Sequence, residues 1–177
     1  MAIRPILLYP DPVLLEPTRP VESVDDSVRE LIDDLVETMV AAPGIGLAAN
    51  QIGDRRRVCV VDLSAGENPD ELVELVNPRI VESVDPDVAE EGCLSFPDVL
   101  VDVTRGFRAT VEALDRHGEP FRLECDGLLA RAIQHECEHL EGRTFIDGLS
   151  SLKRELIRRK IKKRIRAGDW VSATAPL

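Results

Sequence analysis

Aromatic residues make up only 3% of this 177-residue chain, and there are three histidines and one tryptophan. A core built without aromatics has to rest on Val, Leu, Ile and Ala, and hydrophobic content of 44% supplies them. No apolar run is long enough to cross a bilayer. The opening "MAIRPILLYPDPVLLEP" has neither a basic n-region nor an uninterrupted apolar stretch, so it does not read as a signal peptide. Without an export signal, Cys59, Cys93, Cys125 and Cys137 are expected to be reduced thiols in a cytoplasm. They lack the CxxC spacing of a zinc ribbon or a dithiol redox site. Net positive charge is also missing: the balance is −11, which argues against general or sequence-specific nucleic-acid affinity. One segment departs from that balance. Residues 151–166, "SLKRELIRRKIKKRIR", carry nine Lys/Arg against one Glu, a local charge of +8.

The length suits a single domain over residues 1–177, with the basic segment as a helix within it. From Asp25 to Val40, apolar residues at helical spacing predict an amphipathic helix, capped by Ser23 or Asp25 and ended by "APG" at 42–44. From about Arg56 to Cys125 the texture is β-rich, in short runs: "RRVCVVDL", "ELVELVNP", "RIVESV", "VLVDVT", "FRATVEALD" and "EPFRLEC". A second helix should start near Asp126 and stop at Gly142. A third covers 151–166, with Leu152, Leu156, Ile157, Ile161 and Ile165 on one side. The order predicts an α+β domain of mostly antiparallel strands.

What is present is concentrated in "QHECEHLEG", residues 134–142. Helix positions four apart share a face, so His135 and His139 can point at one ion while Glu136 reaches a water on it. Continuing that face backwards gives Ala132 and Leu128, which predicts that it is buried. By itself the pentapeptide leaves a surface pair of polar residues as the other reading. A catalytic metal needs a third protein ligand and an open position. His117 is expected to be exposed in the "DRHGEP" turn, Glu141 points elsewhere, and Glu155 sits in basic surroundings. Cys93 in "EEGCLSFPD" is better placed, with a glycine allowing close approach and a proline expected to halt pairing; its other reading is an inert buried thiol. "GIGLAANQ", residues 44–51, lacks the spacing of a phosphate loop, and a helix C-cap explains only its first glycine.

"GIGLAANQ", "EGCLS" and "QHECEH", in this order, resemble the three signature motifs of the peptide deformylases. The similarity extends to "LLYPDPVL", "LVNP", "ALDRHGEP" and "CDGLLARAIQHE", so it spans nearly the whole chain. The leucine of "EGCLS" resembles the bacterial form. The resemblance implies antiparallel sheets around a central H-E-x-x-H helix. It also implies removal of formate from N-formylmethionyl nascent peptides. Carried over by position, it implies Cys93, His135 and His139 as ligands of one divalent metal ion. That ion would be Fe2+ in the cell, with Zn2+, Ni2+ or Co2+ able to substitute. Glu136 would be the acid/base, with the Gln51 amide and the Leu94 backbone N–H stabilising the oxyanion. Ile45, Gly46 and Gly92 would edge the substrate groove.

The chain departs from the pattern where Glu138 replaces the usual aspartate before the second histidine; an ion pair with Arg105 is the expectation. Cys137 is expected simply to be packed. Arg131 either rims the methionine pocket or is a solvated helix residue. The basic helix suggests a contact with the ribosome; no membrane association is expected, and a monomer is. A zinc endopeptidase and a non-catalytic metal-binding protein remain the competing functions.

Overall fold

The computed structural model describes residues 2–173. Helix α1 spans Asp26–Ala41. It is capped by Asp25, whose carboxylate accepts from the Val28 N–H at 3.1 Å, so of the two expected caps Asp25 is the one used. Strands β1 (Gly46–Ala48), β2 (Val58–Val61), β3 (Val73–Cys93), β4 (Phe96–Leu114) and β5 (Pro120–Asp126) form one sheet in sequential order. Every pairing in it is antiparallel. Helices α2 (Gly127–Leu140) and α3 (Ser151–Ala167) follow the sheet. This is the expected α+β arrangement, and no helix among the described residues is long and apolar enough to cross a membrane.

The strands are fewer and longer than the short runs predicted. "ELVELVNP" and "RIVESV" belong to one 21-residue strand that continues through 85–93, and "VLVDVT" and "FRATVEALD" belong to one of 19 residues. From Glu82 to Val88 β3 is exposed throughout, so no apolar alternation marks it. Pro78 and Pro86 look like breakers, but β2 pairs with β3 only as far as Val76, and the edge beyond is free to hold residues without an N–H. Pro97 does not halt pairing either. Cys93 pairs with Phe96 across a two-residue turn of Leu94 and Ser95, and β4 runs on through Pro97.

Three apolar clusters follow. One lies between α1 and the β1–β2 corner, around Leu31, Ile32, Leu35 and Met39. A second lies between α2 and the sheet, where Cys137 packs with Ile133 and Leu140 as expected. The third gathers four of the chain's six aromatic residues, Tyr9, Phe96, Phe145 and Trp170, beside Ile161 of α3. Only the middle of the α3 stripe is covered there. Ile161 is buried, whereas Leu152 and Leu156 are 69% and 56% exposed, because the body beneath α3 does not extend under its first turns.

Candidate metal centre

α2 has one face on the sheet and one on a cleft. His135, Glu136 and His139 are all buried on it, as is Ala132, but Leu128 is 55% exposed at the cleft mouth, so the buried face ends one turn earlier than its periodicity implied. The turn between β3 and β4 brings Cys93 against this helix. Its sulfur lies 3.2 Å from His139 Nε2. One ligand atom from each of Cys93, His135 and His139 falls within 4.8 Å of the others, the one such cluster of three found among the described residues. His117 is exposed in the hairpin turn. Glu155 is exposed on α3 and pairs with Arg159, and Glu141 faces Arg57 and Arg143. None of these joins the cluster.

Gln51 approaches from the other side, in the helical turn after β1. Its Oε1 accepts from the Ala48 N–H at 2.9 Å. That fixes the amide so that Nε2 donates to Ser95 Oγ at 3.1 Å and points at the Cys93 sulfur at 3.7 Å. Ile45, Gly46, Gly92 and Leu94 line the same cleft of about 670 Å³, as do Glu136, His135 and Arg131.

Behind the histidines lies a buried ionic network. Glu91 accepts from His135 Nδ1 at 3.0 Å, which leaves His135 Nε2 to face the cluster. Arg105 donates to both Glu91 oxygens, at 2.6 and 2.9 Å, and to Glu138 at 3.0 Å, the ion pair expected of Glu138. Arg131 donates to Glu91 at 2.8 Å and to the Val103 carbonyl at 2.9 Å, and it pairs with Asp87 at 3.1 Å. Arg131 is therefore not a solvated helix residue: its guanidinium is committed to the network while the side chain borders the cleft. No sequence pattern assigns a role to Glu91, Ser95 or Asn50, whose amide donates to the His139 carbonyl at 2.5 Å. Glu91 stands two residues before Cys93, the spacing that returns a strand side chain to one face. That signal becomes usable only if β3 is taken to continue that far.

The protonation states follow from burial and neighbours. Burial pushes the Glu136 carboxyl up to about 7, with the Glu91 charge acting in the same direction and His135 and Arg105 opposing. Burial works against the His135 imidazolium, but hydrogen bonds with Cys93 and Glu91 hold its pKa well above the ordinary range. His139, buried and facing His135 and Arg105, is held well below it. Glu91 is brought down to about 2: burial opposes this, but the hydrogen bonds from His135 and Arg105 outweigh it.

The residues fit a divalent metal. One sulfur and two imidazole nitrogens make a borderline-soft donor set, and the cleft leaves one side open. A buried carboxylate oxygen, Glu136 Oε2, has no hydrogen-bond partner, and Glu136 is one of the residues that line the cleft. Glu136 is also held from behind. A Cβ on Gly46 would lie 2.5 Å from Glu136 Oε1 and 3.0 Å from its Cδ. Gly46→Ala should displace the carboxylate and lower kcat roughly 100-fold with metal content unchanged. Wild-type turnover in that variant would show that the glycine is not needed for clearance.

Residues 3–155 match the family model for polypeptide deformylase. A curated peptide deformylase from Acidobacterium capsulatum is 49% identical over 170 residues, covering 96% of this chain and 100% of the relative. The chain belongs to the polypeptide deformylase family. The Pseudomonas aeruginosa peptide deformylase is 50% identical over 94% of this chain and 98% of its own length. A peptide deformylase from Legionella pneumophila superposes with a TM-score of 0.87 at 44% identity, covering 99% of this chain and 100% of that one. A deformylase from Ehrlichia chaffeensis, solved in complex with actinonin, gives 0.85 at 37% identity over 94% and 99%. The antiparallel sheet wrapped on the H-E-x-x-H helix is thus a family feature.

Proposed function

We propose that this protein hydrolyses the formyl group from the N-terminal formylmethionine of newly made peptides, releasing formate. The observation that carries the reading is the Cys93, His135 and His139 cluster, set against one cleft that Cys93, His135, Glu136 and Gln51 line. Cys93, His135 and His139 would hold the metal. When bound, a divalent cation supplies Lewis acidity, making water nucleophilic near neutral pH and polarising a carbonyl. Glu136 takes the proton of the attacking water and delivers it to the amine as the C–N bond breaks. Negative charge grows on the formyl oxygen, where the Gln51 Nε2–H and the Leu94 N–H would meet it; one such donor is typically worth roughly 10²–10³ in rate. Arg105 and Arg131, through Glu91, hold the His135 ring in orientation.

The thiolate ligand and the family favour ferrous iron in the cell. Anaerobically prepared, iron-loaded protein should release formate and free amine from a formyl-Met-Ala-Ser peptide, and should lose turnover in air. A fully metallated sample that yields no formate would reject the reaction. Turnover unchanged after aeration would reject iron.

A contact with ribosomal RNA through α3 is part of the same reading. Lys153, Lys160, Lys162 and Lys163 are exposed on that helix next to uncovered Leu152 and Leu156. Phosphate contacts of this kind weaken steeply with salt. Reversing those four lysines to glutamate should abolish low-salt co-sedimentation with ribosomes, and equal pelleting of both forms would refute the contact.

A further inference from the structure

The ligand cluster is assembled from two elements, and its dimensions depend on how they are held together. α2 supplies His135 and His139, and the turn between β3 and β4 supplies Cys93, whose sulfur lies 3.2 Å from His139 Nε2. At His135 the hold is plain. Glu91, two residues before Cys93, accepts from His135 Nδ1 at 3.0 Å and so ties the end of β3 to the helix. His139 has no such partner: its Nδ1 is buried without a hydrogen bond. The placement of that ring therefore depends on its backbone.

The backbone of His139 is held by Asn50. Asn50 and Gln51 are neighbours in the turn Ala49–Ile52, both are buried, and their amides reach different elements. Asn50 Nδ2 donates to the His139 carbonyl at 2.5 Å. Gln51 Nε2 donates to Ser95 Oγ at 3.1 Å, and Ser95 is buried two residues past Cys93. The Leu7 N–H donates to the Gln51 carbonyl at 2.7 Å, and the Tyr9 N–H to the Ser95 carbonyl at 3.0 Å, so the N-terminal segment steadies both. A two-residue segment thus joins the Cys93 turn to His139 itself. The other half of the Asn50 amide makes no bond, because its Oδ1 is buried without a partner. An amide oxygen left unpaired in the interior costs free energy, so packing alone would favour an apolar side chain here. What the amide contributes is its donor.

We propose that Asn50 is a positioning residue for the metal centre: with Gln51 it braces Ser95 against the His139 carbonyl and so sets the spacing of Cys93 and His139. The inference rests on the metal-binding half of the reading above. Because the same segment carries the Gln51 amide, the brace also fixes that donor relative to the ligands.

Cobalt-loaded, full-length protein tests this without turnover. Its visible absorption reports the ligand geometry, and a chelator reports how fast the ion leaves. Asn50→Asp keeps the shape and removes the donor, and Asn50→Ala removes it without adding charge. Either should speed cobalt loss roughly tenfold and shift the absorption bands; iron-loaded samples should lose kcat with little change in KM. Ser95→Ala cuts the other end and should move the same readouts. In the double variant Asn50→Ala, Ser95→Ala the ion should leave no faster than in the faster single variant, since both cuts open one brace. Effects that multiply would overturn the proposal. So would a lowered denaturation midpoint with release rate and spectrum unchanged, which is the behaviour of a packing residue. Wild type that takes up no cobalt removes the centre and this inference with it. Wild type that binds cobalt but, iron-loaded, releases no formate rejects the deformylase reading alone, and the release rates still decide the brace.

Discussion

Glu136→Gln is expected to lower kcat by roughly 10²–10⁴-fold while the metal content stays at the wild-type level. The two halves of that result have separate causes. Cys93, His135 and His139 are the residues whose potential ligand atoms lie within 4.8 Å of one another, and Glu136 is not part of that cluster. The carboxylate is buried, its Oε2 has no partner, and its pKa lies at about 7. A group in that range can accept and return a proton at neutral pH, whereas an amide of the same shape can do neither. Metal analysis beside single-turnover kinetics makes the distinction. A variant keeping a tenth or more of the wild-type rate would remove Glu136 from proton transfer. A variant that lost its metal would instead make Glu136 a structural part of the centre.

Replacing Glu91 should have the largest effect on stability. Two guanidinium groups and one imidazole converge on this one buried carboxylate. Removing one member of a buried charge cluster typically costs about 3–5 kcal/mol. Glu91→Gln should therefore lower the denaturation midpoint strongly. It should also weaken metal retention against a chelator roughly 10–100-fold, because His135 loses the acceptor that orients it. The pH dependence has a definite sign. The folded pKa of about 2 lies below the ordinary carboxylate value. The stabilisation is therefore complete above the unfolded pKa of about 4.3 and is lost as pH falls from there towards 2, by linkage about 3 kcal/mol in all. The acid limb of wild-type stability should flatten in Glu91→Gln. Glu138→Ala is the contrasting case. Its carboxylate is 25% exposed and has one close bond to the same Arg105, so a loss of at most about 1 kcal/mol with metal retained is expected. If the two substitutions cost the same, the network is not centred on Glu91.

Much of the molecule was legible in the chain itself. Helix periodicity placed α1, α2 and α3 to within a residue or two, because each has an amphipathic stripe or a cap that acts locally: Asp25 on Val28, Ser150 on Lys153. His135, Glu136 and His139 share one short helix, so their relation is fixed by its pitch. Cys93 stood out as a third ligand by its setting beside Gly92, with an inert thiol as its other reading, and Gln51 could be tied to the histidines only by resemblance, since nothing local brings positions 51, 93 and 135 together. The tertiary structure decided what lies between those segments. A long antiparallel hairpin carries no apolar alternation where both faces of a strand are wet, so the continuation of β3 towards Cys93 could not be read from residues 82–88. The commitment of Arg131 to Glu91 and Asp87, and the return of Trp170 to Tyr9, join residues 40 to 161 positions apart. Such contacts depend on which surfaces the sheet brings together, and a local pattern has no record of that.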